Sequence, residues 1–176
     1  MKEKFLKMLD DLGEQTRLVE CSIQAFYSPE SNELLQEYDK IASFGDDLNS
    51  RVKRISSKNL DSINELILDL LLEINNKLNR IENLNQHFLE LDSSSNICFL
   101  GHGIICLDSS DLVESRSYFV RFILPNSANR TIGVFATALN KEILKITKIP
   151  ESFNEELDSF IVLKEMEFLR QRRKND

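Results

Sequence analysis

The hydrophobic period of this 176-residue chain switches at Asp92, and that switch constrains the fold more than any other feature. Ahead of it, apolar residues recur at three- and four-residue steps, as on helix faces. Beyond it they alternate in steps of two, as on strands with one face inward. Two periods in separate blocks predict an α+β fold: N-terminal helices including one long heptad helix, then a small antiparallel β-barrel closed by a C-terminal helix. The expected division is 1–92 for the helical region and 93–176 for the barrel.

In the first block, Phe5, Met8, Leu9, Leu12, Val19, Ile23 and Phe26 fit one side of a helix that ends before Ser28-Pro29, loosened at Gly13. A second helix fits Ser31 to Ser43, with Leu34, Leu35, Tyr38 and Ile41 inward, and Phe44-Gly45-Asp46 as its stop. Leu48, Val52 and Ile55 continue a helical period, in a frame they do not share with the seam beyond residue 59. At Ser56-Ser57-Lys58-Asn59 either a new helix starts with Asn59 as N-cap, or one helix passes through with a register skip.

From about 60 to 91 the pattern becomes a heptad. Its d positions are Leu60, Ile67, Ile74, Ile81 and Phe88, and its a positions are Asn64, Leu71, Leu78 and Asn85. An amide at a seam position lowers stability and restricts register and oligomer state, so the stripe reads as a helix built to meet helices. Those partners are either the chain's own N-terminal helices or other copies of the chain. Mixed Ile and Leu leave open whether two, three or four helices meet.

Beyond the loop Ser93-Ser94-Ser95-Asn96, strands are expected over residues 97–107, 118–124, 131–139 and 142–149. Tyr118, Val120, Phe122 and Leu124 share a face. Pro125-Asn126-Ser127 and Leu139-Asn140-Lys141 are short connections, which predicts a meander curling into a barrel or sandwich. After Pro150, Ser152 and Glu155 form a capping box for a helix carrying Leu157, Phe160, Ile161, Leu163, Met166 and Leu169.

Composition narrows the function. Lys plus Arg 22 against Asp plus Glu 29 gives a net charge of −7, and residues 1–50 hold five basic and eleven acidic residues. That balance disfavours broad contact with nucleic acid or anionic lipid. The basic clusters at Arg51-Val52-Lys53-Arg54 and Arg170 to Lys174 lack the interleaved aromatics of a nucleic-acid face. An acidic front fits either a basic partner or a solvated surface. No long apolar segment and no secretory signal are visible, and three cysteines read as reduced thiols in a cytoplasmic protein.

Cys98, His102 and Cys106 stand four residues apart, which raises a metal-dependent enzyme as one class. Positions four apart on a strand are about 13 Å distant, however, so buried structural cysteines are the expected reading. Asp108 and Asp111 among serines read as a turn rather than a cation site. No phosphate loop, zinc-hydrolase helix or nucleophile elbow occurs, so neither catalysis nor a metal site is expected.

The β region resembles the PilZ domain, the small barrel that senses cyclic di-GMP in many bacterial proteins. Gly103-Ile104 opens a strand, Tyr118 to Leu124 ends in Pro125, a strand follows at Thr131 to Ala138, and the last helix finishes Glu167-Phe168-Leu169-Arg170-Gln171-Arg172-Arg173. Family members that bind the nucleotide use an Arg-x-x-x-Arg pair ahead of the barrel and an Asp/Asn-x-Ser-x-x-Gly motif on a strand. Here the motif survives as Asn96-x-Cys98-x-x-Gly101, or in another frame ends at Gly103, so the ligand residues implied are Asn96, Cys98, Gly101 and Gly103. No arginine pair four apart precedes either frame. The resemblance implies a non-enzymatic bacterial signalling or adaptor protein connected with motility, with little or no cyclic di-GMP binding and no other cofactor. The alternative it leaves is a cyclic di-GMP receptor with a degenerate site. A heptad helix ahead of a degenerate barrel resembles the tetrameric PilZ proteins, which implies a tetramer that engages a further protein.

Overall fold

In a computed structural model, which describes residues 1–43, 61–85, 88–108, 110–125 and 131–175, the segment Val19–Pro29 is a strand. The expected helix through it is therefore corrected. Val19, Ile23, Ala25 and Tyr27 are buried in steps of two or four, while Glu20, Gln24 and Phe26 face solvent. Val19, Ile23 and Phe26 also fit helical steps, but the β-branched and aromatic content favours a pleated surface and the barrel supplies it with partners. The helix α1 (Lys2–Asp11) stops where Gly13 adopts φ +74°: the Gly13 amide donates to the Asp10 carbonyl and the Glu14 amide to that of Leu9. Both bonds satisfy carbonyls at the helix end, the Schellman arrangement that a left-handed glycine allows.

Strand β1 (Val19–Pro29) is followed by β2 (Ser93–Gly101), β3 (Ile104–Leu107), β4 (Ser117–Ile123), β5 (Thr131–Ala138) and β6 (Ile143–Lys148). They close into an antiparallel barrel in the order β1-β2-β3-β6-β5-β4, with β4 returning to β1 through Ala25↔Phe122 and Tyr27↔Val120. Closure leaves no unpaired edge. The barrel is not the expected meander, because β3 lies beside β6 through Ile105↔Leu144 and the chain crosses to β4 before returning. Nor does it begin at residue 93. Without β1, which pairs with both β2 and β4, it would stand open.

Four helices are present among the described residues: α1, α2 (Asn32–Ser43), α3 (Ser62–Asn85) and α4 (Glu151–Asn175). Helix α2 starts with the Ser31 hydroxyl accepting from the Leu34 amide at 3.3 Å and buries Leu34, Tyr38 and Ile41, as its sequence predicts. Tyr38 meets the Phe135 ring at 5.3 Å, and Phe135 meets Phe119 at the same separation, so α2 covers the outer side of β4 and β5. Helix α1 covers a second patch, where Phe5 and Leu9 pack with Cys98, Phe99, Ile104, Cys106 and Ile143. The first half of α4 seats Phe153, Leu157, Phe160 and Ile161 in the main core. Ser152 is not its cap. The Pro150 carbonyl accepts from the Phe153 and Asn154 amides, while the Ser152 hydroxyl is buried without a hydrogen bond.

Candidate functional site

Helix α3 is capped by Asp61, whose carboxylate accepts from the Asn64 amide at 2.9 Å. Asn59 and Leu60 lie outside the described residues, as do Phe44 to Arg54 and the frame change. Along α3 the predicted seam residues Ile67, Leu71, Ile74, Leu78 and Ile81 are 48–57% exposed, and Ile63, Leu66 and Leu70 more than half. Asn64 is exposed as well, and Asn85 is the last helical residue. Together these aliphatic side chains span a face wider than a two-stranded seam, since Ile63 and Leu70 add a g row to a and d. None of it is covered by α1, α2 or the barrel. The stripe therefore does not pack on the chain's own N-terminal helices among the described residues.

Phe88 is the exception in the predicted seam. It lies past the end of α3, half-buried against the barrel, with the Arg121 guanidinium 4.7 Å from its ring centroid. Arg121, outward on β4, also reaches Glu37 of α2 at 2.5 Å and the Leu89 carbonyl at 3.1 Å. Glu37 in turn accepts from the Leu89 amide at 2.7 Å, and the Asp92 amide donates to Ser28. The two charged side chains are 13% and 8% exposed, so the pair is nearly dry yet fully partnered. It pins the segment that follows α3, Phe88 to Asp92, to the barrel. The sequence offers no signal for this clamp, because Glu37, Arg121 and Leu89 are far apart along the chain.

The residues implied as ligand-binding meet near the β2–β3 hairpin without forming an open site. A register shift in β2 between Ile97 and Phe99 turns both Cys98 and Phe99 outward, while Ile97 and Leu100 face the main core. Cys98 is thus buried beneath α1, where its thiol donates to the Cys106 carbonyl at 3.4 Å. Asn96 stays half-buried, its side-chain oxygen accepting from the Ser22 hydroxyl at 3.2 Å. Gly101 is pressed by the chain itself: a Cβ there would stand 2.8 Å from Thr16 Oγ1 and 2.9 Å from the Arg17 carbonyl. Gly103 takes φ +73° in the hairpin turn.

His102, at the tip of that hairpin, meets Asp158 of α4 at 2.7 Å and points away from Cys98 and Cys106. Among the described residues no group of His, Cys, Asp and Glu is placed to hold a metal ion. Burial pushes the Cys21 thiol up to about 12, with Cys98 adding to the shift, and burial likewise raises Cys98 and Cys106. Thiols held neutral in this way are poor nucleophiles and poor metal ligands.

The strand reading of β1 brings forward one residue that the sequence reading missed. Arg17 stands directly ahead of the barrel, with Gly13 four residues before it, in the place where the resemblance calls for two arginines. Arg17 is 84% exposed and lies 3.9 Å from Glu165, in a cleft of about 540 Å³ lined by Gln15, Thr16, His102 and Glu165. One guanidinium beside a carboxylate offers a phosphodiester little net attraction.

No family model matches the chain, and no curated protein does. It is similar in shape to a solved PilZ protein. That is the crystal structure of a pathogenic protein from Xanthomonas campestris, described as a tetrameric PilZ domain self-assembled via an unusual helical bundle. The likeness covers 97% of each chain at 12% identity with a TM-score of 0.45, and at that score it supports nothing further. No helix among the described residues is long and apolar enough to cross a membrane.

Proposed function

We propose that this chain is a non-enzymatic, PilZ-like adaptor of bacterial cytoplasmic signalling that self-associates through α3 and uses its barrels to engage a protein partner. The observation that carries this reading is the uncovered aliphatic face of α3, from Ile63 to Ile81, in a chain whose other helices bury apolar residues against the barrel. Eight large aliphatic side chains on one helix are more than a monomer leaves in water without a use. The a, d and g rows fit a bundle of more than two helices, in keeping with a tetramer. Light-scattering mass at micromolar concentration is expected to give a multiple of 20.4 kDa. The paired change Leu71→Asp and Leu78→Asp should return the monomer mass with the barrel's circular dichroism intact. A wild-type monomer would end this reading.

Cyclic di-GMP is expected to bind weakly or not at all. Two charge-assisted forks are replaced by one, and such bonds contribute roughly 1.5 to 3 kcal/mol each. The Gly101 cradle is filled by Thr16 and Arg17, and Cys98 is buried under α1. Calorimetric titration with the nucleotide should show no heat beyond dilution. Micromolar binding that Arg17→Ala abolishes would establish the receptor reading instead.

A further inference from the structure

The second half of α4 leaves another apolar stripe uncovered. Val162, Leu163, Met166 and Leu169 recur at one-, three- and three-residue steps and are 42–55% exposed. Arg170 continues the same side of the helix, because residues three and four apart share a face. Over 162–175 the sequence holds five basic residues against two acidic. An identical stripe from another copy would bring like charges together, so self-pairing of α4 is disfavoured. The complementary surface is a helix that is aliphatic and acidic. Over residues 62–76, α3 carries Glu65, Asp69 and Glu73 and no basic residue. Glu65 and Asp69, four residues apart, border the Ile63, Leu66 and Leu70 edge of its face, while Glu73 in the same row pairs with Lys77 of its own helix at 2.8 Å.

Within one copy both surfaces stay uncovered, the Ile63, Leu66 and Leu70 edge 51–69% exposed and the Val162 to Leu169 stripe 42–55%, so the match is one between chains. The segment that follows α3 is pinned at the Ser28 end of β1 by Asp92, Leu89 and Arg121. The second half of α4 lies at the Val19 end, where Phe168 and Leu169 share a groove of about 610 Å³ with Leu6 and Val19.

We infer that the Leu163–Met166–Arg170 face of α4 docks the acidic Ile63–Leu66–Leu70 edge of α3 from a second copy of this chain. This rests on the self-association reading and names a second contact within that assembly. The a and d rows and the inner side of the g row meet other α3 helices, and the outer side of that edge, at Leu66, is covered by α4. Salt bridges between Arg170 and the carboxylates of Glu65 or Asp69 then set which edge is taken.

The test mixes two single-cysteine chains, Leu66→Cys and Met166→Cys, each with the native cysteines changed to serine or alanine, and applies a short bismaleimide. A covalent heterodimer is the expected product. The change Met166→Asp should weaken self-association by about tenfold or more, as loss of one apolar interface side chain does. Glu65→Lys with Asp69→Lys should do the same, and adding Arg170→Glu with Arg173→Glu should restore it. An assembly of wild-type mass that gives no 66–166 product, and whose dissociation ignores Met166→Asp, overturns the docking while leaving α3 self-association standing. A wild-type monomer overturns both.

Discussion

Helices α1 and α3 carry the same kind of signal, apolar residues three and four apart, yet the protein treats them in opposite ways. In α1, Phe5 and Leu9 are 1% exposed, pressed onto an outer barrel patch made by β2, β3 and β6. In α3 the equivalent side chains stay about half exposed along the whole helix. The difference lies in what each helix has been given to cover. The β2 bulge turns Cys98 and Phe99 outward together, creating an apolar patch that one short helix seals. Among the described residues helix α3 has no such patch beneath it, and it is more than twice the length of α1. Periodicity therefore specifies that a helix has a partner face, and the rest of the molecule specifies whose.

The strongest break between the two helices comes from truncating the buried one. Phe5→Ala removes a ring that stands 5.6 Å from that of Phe99, and should cost about 3 kcal/mol or more in urea unfolding. In the monomeric Leu71→Asp, Leu78→Asp background, Ile74→Ala in α3 should change the unfolding of the barrel by less than about 0.5 kcal/mol. Equal costs would mean that α3 is covered within the chain.

Next is the clamp on the segment that follows α3. Arg121→Ala leaves Glu37 nearly dry without its guanidinium and should cost about 3 kcal/mol, as removal of one partner from a buried pair does. It should also speed hydrogen exchange at the Leu89 amide. Unchanged exchange there would show that this segment is held by other contacts.

A smaller effect comes from the buried thiols. Their folded-state pKa values are raised by burial, so the stabilisation from neutral thiols is complete below the ordinary range near 9. It is lost as pH rises from 9 toward about 12. Tyr38, also pushed up to about 12 by burial, adds to the loss above pH 10. Urea midpoints should fall over that window, less steeply in Cys106→Ala, and a midpoint that holds level to pH 11 would contradict the burial of these groups. The smallest expected change is His102→Ala. Its contact with Asp158 is half-exposed on both sides, so stability should move by less than about 1 kcal/mol.

The resemblance drawn from Tyr118 to Pro125 and from the closing helix located most of the barrel, because those strands alternate cleanly and their turns are marked by proline and asparagine. Asn140 shows the mechanism: its side chain accepts from the amides of both Glu142 and Ile143 at 2.8 Å, fixing the β5–β6 turn locally. Strand β1 stayed hidden. Its apolar residues satisfy two periods at once, and only pairing with β2 and β4 separates them. The misreading also hid that Arg17 stands directly ahead of the barrel, although no arginine pair four apart is present.

Part of the local order was written in the chain itself: which strands alternate beyond residue 96, and that residues 62–85 form an aliphatic helix interrupted by amides. Those features depend on backbone preferences and on neighbours a few residues away. What the tertiary structure decided was who covers whom. The β3–β6 pairing, the outward turn of Cys98 and the Arg121–Glu37 clamp each join residues distant in sequence, and burial energy depends on that meeting rather than on either partner alone.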